Sequence, residues 1–256
     1  MYKRQEQPNK NLKLDLFRPD PSPAGPVPCI ICIHGGGYRV HRREWFAGHA
    51  AGFAKAGFVA VTIDYRKEPG IENRGDAIKD GKAAVRWVRA NAEEYGIDPD
   101  RIGVIGGSAG GHMTSVLATT GEHPAMEGEG GNPGVSSAVQ AAVPCAAGSN
   151  NLDRVKDDPE WLAGIEQHGR EVVELICPYH QAGEGDPPLL LLHGSADGVV
   201  PPYHSEDLHG RYQELGLHSE LEILEGARHT FYLSQETIDR ATRFFREQFG
   251  MADAEG

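Results

Sequence analysis

The sequence predicts an α/β fold built on a doubly wound, mostly parallel sheet. Apolar runs too continuous for half-exposed strands recur at 28–33, 58–63 and 189–192. Segments with helical spacing separate them, the alternation that parallel crossovers need. Polar residues gather just past the strand ends, at 34–38, 64–66, Ser108, Asp197 and His229. In open sheets of this kind, ligands sit beyond the C-terminal ends of the strands.

A chain of 256 residues is long enough for one sizeable core and short for two, so a single domain over 1–256 is expected. With 25 Lys and Arg against 37 Asp and Glu, the formal charge is −12. That balance argues against a nucleic-acid or anionic-membrane partner. No stretch has the apolar length of a membrane-spanning helix, and the opening Met-Tyr-Lys-Arg-Gln lacks the apolar region of a signal peptide. The compartment stays open, as does the choice between monomer and homodimer.

Taken in order, residues 3–18 read as two short strands around Pro8-Asn9-Lys10-Asn11, with Leu12, Leu14 and Leu16 alternating against Lys13 and Asp15. Pro21, Pro23, Pro26 and Pro28 mark a loop before the run at 28–33. A helix follows with Phe46, Ala50 and Phe53 on one face, closed by Gly57. After the strand 58–63, a long helix over 75–95 turns Ile78, Val85 and Val88 inward. Ile102, Val104 and Ile105 form the next strand, and a helix runs from Met113 to Thr120.

A glycine-rich loop at 121–137 precedes a strand at 138–143. Periodicity weakens over 144–188, with short helices expected at 159–166 and 171–177, so this segment is placed as a small lid or pocket wall. The strand 189–192, a helix over 203–215 and a strand over 221–224 follow. A last helix after Ser234 buries Ile238, Ala241, Phe245 and Phe249, and the tail 251–256 is expected to be loose.

The four cysteines are Cys29, Cys32, Cys145 and Cys177. Cys29 and Cys32 have C-x-x-C spacing, but a strand there points them to opposite faces, whereas a redox or metal pair needs a turn. Buried free thiols are expected for both, and the redox state of Cys145 and Cys177 stays open. No cluster has metal-site spacing, so neither metal nor cofactor is expected.

Gly106-Gly-Ser108-Ala-Gly110 is a G-x-S-x-G turn between a strand and a helix, the setting of a nucleophile elbow. A serine hydroxyl needs a base, and the base needs a group to orient it. Asp197, just past the strand 189–192, and His229, just past 221–224, supply both in the order Ser, Asp, His. Asp186 precedes its strand and falls at the wrong end of the sheet. The amide of Ala109 and those of Gly36 and Gly37, after a strand, are the candidate oxyanion donors.

Together His34-Gly-Gly-Gly-Tyr38, Asp64-Tyr-Arg66, 95–102, Gly107-Ser-Ala-Gly-Gly-His112, His193-Gly-Ser-Ala-Asp197 and the segment at His229 resemble an α/β-hydrolase. Within it the chain is similar to carboxylesterases of the hormone-sensitive-lipase-like branch, above all the compact bacterial group with acetyl xylan and feruloyl esterases. The resemblance runs from about residue 12 to 249. It implies Ser108 as nucleophile, His229 as base, Asp197 as its partner, and Gly36, Gly37 and Ala109 as the oxyanion hole.

It departs from the pattern in three places: Tyr38 where Trp is usual, Ala-Arg-His-Thr-Phe where Gly-His-Gly-Phe is commoner, and no long N-terminal cap helices, which implies an open site. Tyr38 and Trp161 are the candidate substrate-binding side chains, with Tyr179 and His180 in the same irregular segment. His34 is expected to brace the oxyanion loop, His112 and His193 to be structural, and Asp64 and Arg66 to form an ion pair or network.

The function so implied is hydrolysis of short acyl esters, acetyl or feruloyl, of a carbohydrate through an acyl-enzyme. A general short-chain carboxylesterase and a kynurenine-formamidase-like amide hydrolase are the rivals. A non-catalytic binding module is disfavoured because every triad residue is present.

Overall fold

A computed structural model of the protein describes residues 4–7, 10–67, 70–121, 123–154 and 159–251. Among these, eight strands form one sheet: β1 (Arg4–Gln7), β2 (Lys10–Phe17), β3 (Val27–Ile33), β4 (Val59–Ile63), β5 (Ile97–Gly107), β6 (Ala141–Cys145), β7 (Leu189–Gly194) and β8 (Ser219–Leu224). Their spatial order is β1-β2-β4-β3-β5-β6-β7-β8. The first two pairings, β1 with β2 and β2 with β4, are antiparallel. From β4 across to β8 every pairing is parallel.

The parallel strands β3, β4, β6 and β7 are buried on both sides because both faces are covered, whereas the edge strand β8 carries Glu220 and Glu222 and is only partly buried. On one face lie α1 (Ala47–Lys55) and α10 (Gln235–Gln248), which bury Phe46, Phe53, Phe244 and Phe245 with Ile30 and Cys32. The other face carries α2 (Ile71–Ala90), α4 (Ala109–Thr120) and α9 (Tyr203–Glu214), packed with Cys29, Ile31 and Ile33. Cys29 and Cys32 therefore enter different layers, and all four cysteines are buried free thiols. Gly103 on β5 leaves room for α10, since a Cβ there would come 2.6 Å from the Phe245 ring. Ser234 starts α10 by accepting from the Thr237 amide at 3.2 Å.

Several boundaries differ from the sequence reading. The long helix begins at Ile71, directly after Gly70 at φ 106°, and α3 (Ala92–Tyr95) is a separate turn. Gly96, at φ 67°, ends α3 in the left-handed conformation that glycine adopts without penalty. The sixth strand lies at Ala141–Cys145, shifted toward the C-terminus by the longer loop before it. Two turns went unforeseen, α5 (Pro124–Glu127) and α8 (Pro178–Gln181), beside α6 (Pro159–His168) and α7 (Arg170–Glu174).

Asp64 and Arg66 do not pair with each other. Asp64 receives the Arg43 guanidinium at 2.8 Å and the Arg43 amide at 3.1 Å, while Arg66 bonds Asp80 at 2.9 Å and Asp76 at 3.0 Å. Arg43 also lies 3.0 Å from Asp15 on β2. Pro8 and Asn9 of the first turn, and 252–256 of the tail, lie outside the described residues.

Candidate active site

β5 passes into α4 through Ser108, which holds φ 57° and ψ −120°. Backbone of that kind costs a non-glycine residue about 1–3 kcal/mol and persists only where neighbours over-determine it. Here the Ser108 amide donates to the Cys145 carbonyl at 2.9 Å, and the His112 amide donates to the Ser108 carbonyl at 2.8 Å. Gly106 and Gly110 permit the turn, because a Cβ on Gly106 would fall on the Gly110 carbonyl and one on Gly110 on the Ile33 carbonyl.

The structure brings Ser108, His229 and Asp197 together from three strand ends. The Ser108 Oγ lies 2.9 Å from Nε2 of His229, and Nδ1 of His229 lies 2.7 Å from Oδ2 of Asp197. The other carboxylate oxygen, Oδ1, accepts the Val199 and Val200 amides at 2.8 and 2.9 Å. Burial works against ionisation of Asp197, but the His229 bond and the two amides outweigh it and hold the carboxyl below its usual range. An ionised Asp197 accepts a hydrogen bond from Nδ1–H of His229 and leaves Nε2 as the acceptor facing the Ser108 hydroxyl. Such a relay makes the serine oxygen a competent nucleophile at neutral pH.

Gly36, Gly37 and Tyr38 all have positive φ, at 109°, 61° and 59°. The chain curls because the Gly36 carbonyl accepts from the amides of Arg39 and Val40 at 3.0 and 3.1 Å. Gly37 and Ala109 line the cleft beside Ser108, and Gly36 stands one residue back in the turn. Ala109 is the first residue of α4, where amides have no partner within the helix.

His34 is buried, its Nδ1 lies 2.7 Å from the Gly35 carbonyl, and its ring stacks on Tyr65 at 4.4 Å. His112 spans Tyr38 Oη at 2.6 Å and the Ile176 carbonyl at 2.8 Å. Burial pushes its pKa down to about 3, so it is a neutral brace between the glycine loop, α4 and the segment before α8. His193 bonds Ser205 and the Val200 carbonyl and also stays neutral through burial. Asp186 precedes β7, at the far end of the sheet from Ser108.

The cleft above Ser108 has a volume of about 500 Å³. Tyr38 and Trp161 both line it, but the Arg74 guanidinium covers them, 5.9 Å from the Tyr38 ring and 5.2 Å from the Trp161 ring. Arg74 also bonds Glu160 at 2.6 Å, joining α2 to α6. Tyr179 and His180 do not reach the cleft, and Nε2 of His180 accepts the Leu152 amide. Arg74, Asn150, Glu160 and Tyr203 line it without having been foreseen. Asn150 alone had a signal, a polar residue shortly past a strand end on the ligand edge.

Among the described residues, no group of three or more His, Cys, Asp or Glu is arranged to hold a metal ion. None of their helices is long and apolar enough to cross a membrane.

Residues 14–212 match the family described as BD-FAE. The chain belongs to the BD-FAE family. This places it among the α/β-hydrolases, in keeping with a mostly parallel sheet flanked by helices. The propionate-bound Est2 esterase of the planctomycete Thermogutta terrifontis is 30% identical, with a TM-score of 0.85 over 100% of this BD-FAE chain and 96% of Est2. Its butyrate-bound form superposes with a TM-score of 0.87 at 29% identity.

Esterase LipQ of Mycobacterium tuberculosis is 28% identical over 242 residues, 89% of this chain and 56% of LipQ. The probable carboxylic ester hydrolase LipM of the same organism is 34% identical over 213 residues, 73% of this chain and 46% of LipM. The chain thus spans about half the length of these curated relatives.

Proposed function

We propose that this BD-FAE protein is a serine carboxylesterase that hydrolyses short acyl esters of carbohydrates, acetyl first and feruloyl second. The observation that carries the chemistry is the 2.9 Å contact of Ser108 Oγ with a His229 whose other nitrogen is held by Asp197. His229 Nε2 takes the hydroxyl proton as Oγ attacks the ester carbonyl. The amides of Ala109, Gly37 and Gly36 are the donors assigned to the negative charge that develops, each such donor being worth about 3 kcal/mol in the transition state. His229 returns the proton to the leaving alcohol. It then activates water, which releases the acid from Ser108.

A short acyl group is supported by the propionate and butyrate bound to the Est2 esterase. A polar alcohol is supported by the outer cleft, where Arg74, Glu160 and Asn150 stand among Tyr38, Trp161 and Tyr203. The second reading, a general short-chain carboxylesterase, is favoured by the Arg74 guanidinium on Trp161, which leaves that ring less free to stack on a sugar.

Acetate release from acetylated xylo-oligosaccharides, as kcat/KM relative to p-nitrophenyl acetate, separates the two. A ratio near or above one, despite the poorer leaving group, supports the carbohydrate reading. A ratio far below one leaves the general esterase.

A further inference from the structure

The loop that follows β6 contributes to the cleft above Ser108 a carboxamide that no side chain or backbone group of the described residues engages. Asn150 lines the cleft and is only 5% exposed, yet among the described residues its carboxamide makes no hydrogen bond. Its backbone is left-handed at φ 52°, which asparagine tolerates better than other side chains. Gly148 makes room for it, since a Cβ there would lie 2.9 Å from Asn150 Oδ1. Neither polar atom of the carboxamide is among the buried side-chain atoms left without a partner, so both open onto the cleft, where a bound hydroxyl can meet them.

We infer that Asn150 is the specificity-determining residue of the leaving-group subsite and pairs with a hydroxyl of a polyol alcohol near the ester bond. This rests on the carbohydrate-ester reading and assigns it a residue. An acetyl group carries no polar atom beyond its carbonyl, which goes to the donors on the Gly37 and Ala109 side. For an acetyl ester the polar partner of Asn150 therefore comes from the alcohol. A hydroxyl both donates and accepts, so it satisfies either end of the carboxamide. An alkyl alcohol of the same size leaves the amide desolvated and unpaired, the situation in which a site discriminates strongly. The Arg74–Glu160 pair, also lining the cleft, offers further partners to the same polyol.

The test compares kcat/KM for a monoacetylated methyl xyloside and for cyclohexyl acetate, so that the acyl step is common to both. Asn150→Gly keeps the left-handed backbone and removes the carboxamide. It is expected to lower kcat/KM on the sugar acetate by about 10–100-fold and to leave cyclohexyl acetate within about twofold. Should that variant fail to fold, Gly148→Ala, which crowds Oδ1 without altering Asn150, carries the same expectation.

Wild-type preference for the sugar acetate that survives the substitution would overturn the role of Asn150 and leave the carbohydrate reading standing. Equal turnover of both acetates by the wild type would overturn both, while cyclohexyl acetate still reports ester hydrolysis.

Discussion

The backbone amide of Ser108 is bonded to the carbonyl of Cys145, 2.9 Å away on the adjacent strand. The strained serine is thus tethered across the sheet as well as to its own helix. Ser108→Ala is expected to lower kcat/KM by about five to six orders of magnitude with the melting temperature nearly unchanged. Ser108→Gly should be equally inactive and yet melt higher than Ser108→Ala, because φ 57° with ψ −120° suits glycine alone. Thermal melts of the two inactive proteins check this, and a lower-melting glycine variant would mean the turn stores no strain.

Asp197→Asn should cost less than Ser108→Ala, roughly 10⁴ in kcat. The amides of Val199 and Val200 demand an acceptor, so the Asn oxygen turns to them and its NH₂ faces His229. That places the imidazole proton on Nε2, where it blocks acceptance from Ser108. Nitrogen-resolved NMR of the histidine tautomer, beside the rate, distinguishes this from simple loosening.

Asp186 gives a pH dependence of stability. Burial pushes its pKa from 3.8 up to about 6, opposed by the Gly183 amide. A carboxyl raised by folding binds more protons in the native state, so stability declines as pH rises from about 4 to 6. Asp186→Asn should therefore match the wild type below pH 4 and melt higher at pH 7. The gain is at most about 1 kcal/mol, since the carboxyl is partly exposed, or roughly 2–4 °C. A difference that is constant with pH would rule out this origin.

Arg43 is 7% exposed and spans Asp15 and Asp64. Arg43→Met should destabilise by about 3–5 kcal/mol, because two part-buried carboxylates lose their cation. Adding Asp64→Asn should recover part of that loss in urea unfolding, and strictly additive losses would show that the charges are not coupled.

What the sequence made legible were features carried by neighbours in the chain. The apolar run of β3, the glycine turn at Ser108 and the polar residues at strand ends each follow from local pattern. Within 144–188 the helices at Pro159–His168 and Arg170–Glu174 were legible, but the single turn α8 there and α5 before it were not, because four residues are too few for a periodicity to appear. Pro124 and Pro178 at helix starts were the available signs of α5 and α8. The Tyr38–His112 bond and the Arg74–Glu160 pair link residues 74 and 86 positions apart, and nothing local to either partner announces the other. Asp64 and Arg66, adjacent enough to suggest a pair, instead take separate partners on other elements.

Cys29 and Cys32 sit three positions apart on β3 yet are sealed into different layers of the molecule. Burial pushes both thiols well above their ordinary pKa, so a thiol reagent meets neither until the covering helices lift. The strand therefore carries two intrinsic clocks, one per layer. Equal alkylation rates at the two positions would mean that the helices on both faces leave the sheet together, and unequal rates would show which layer peels first.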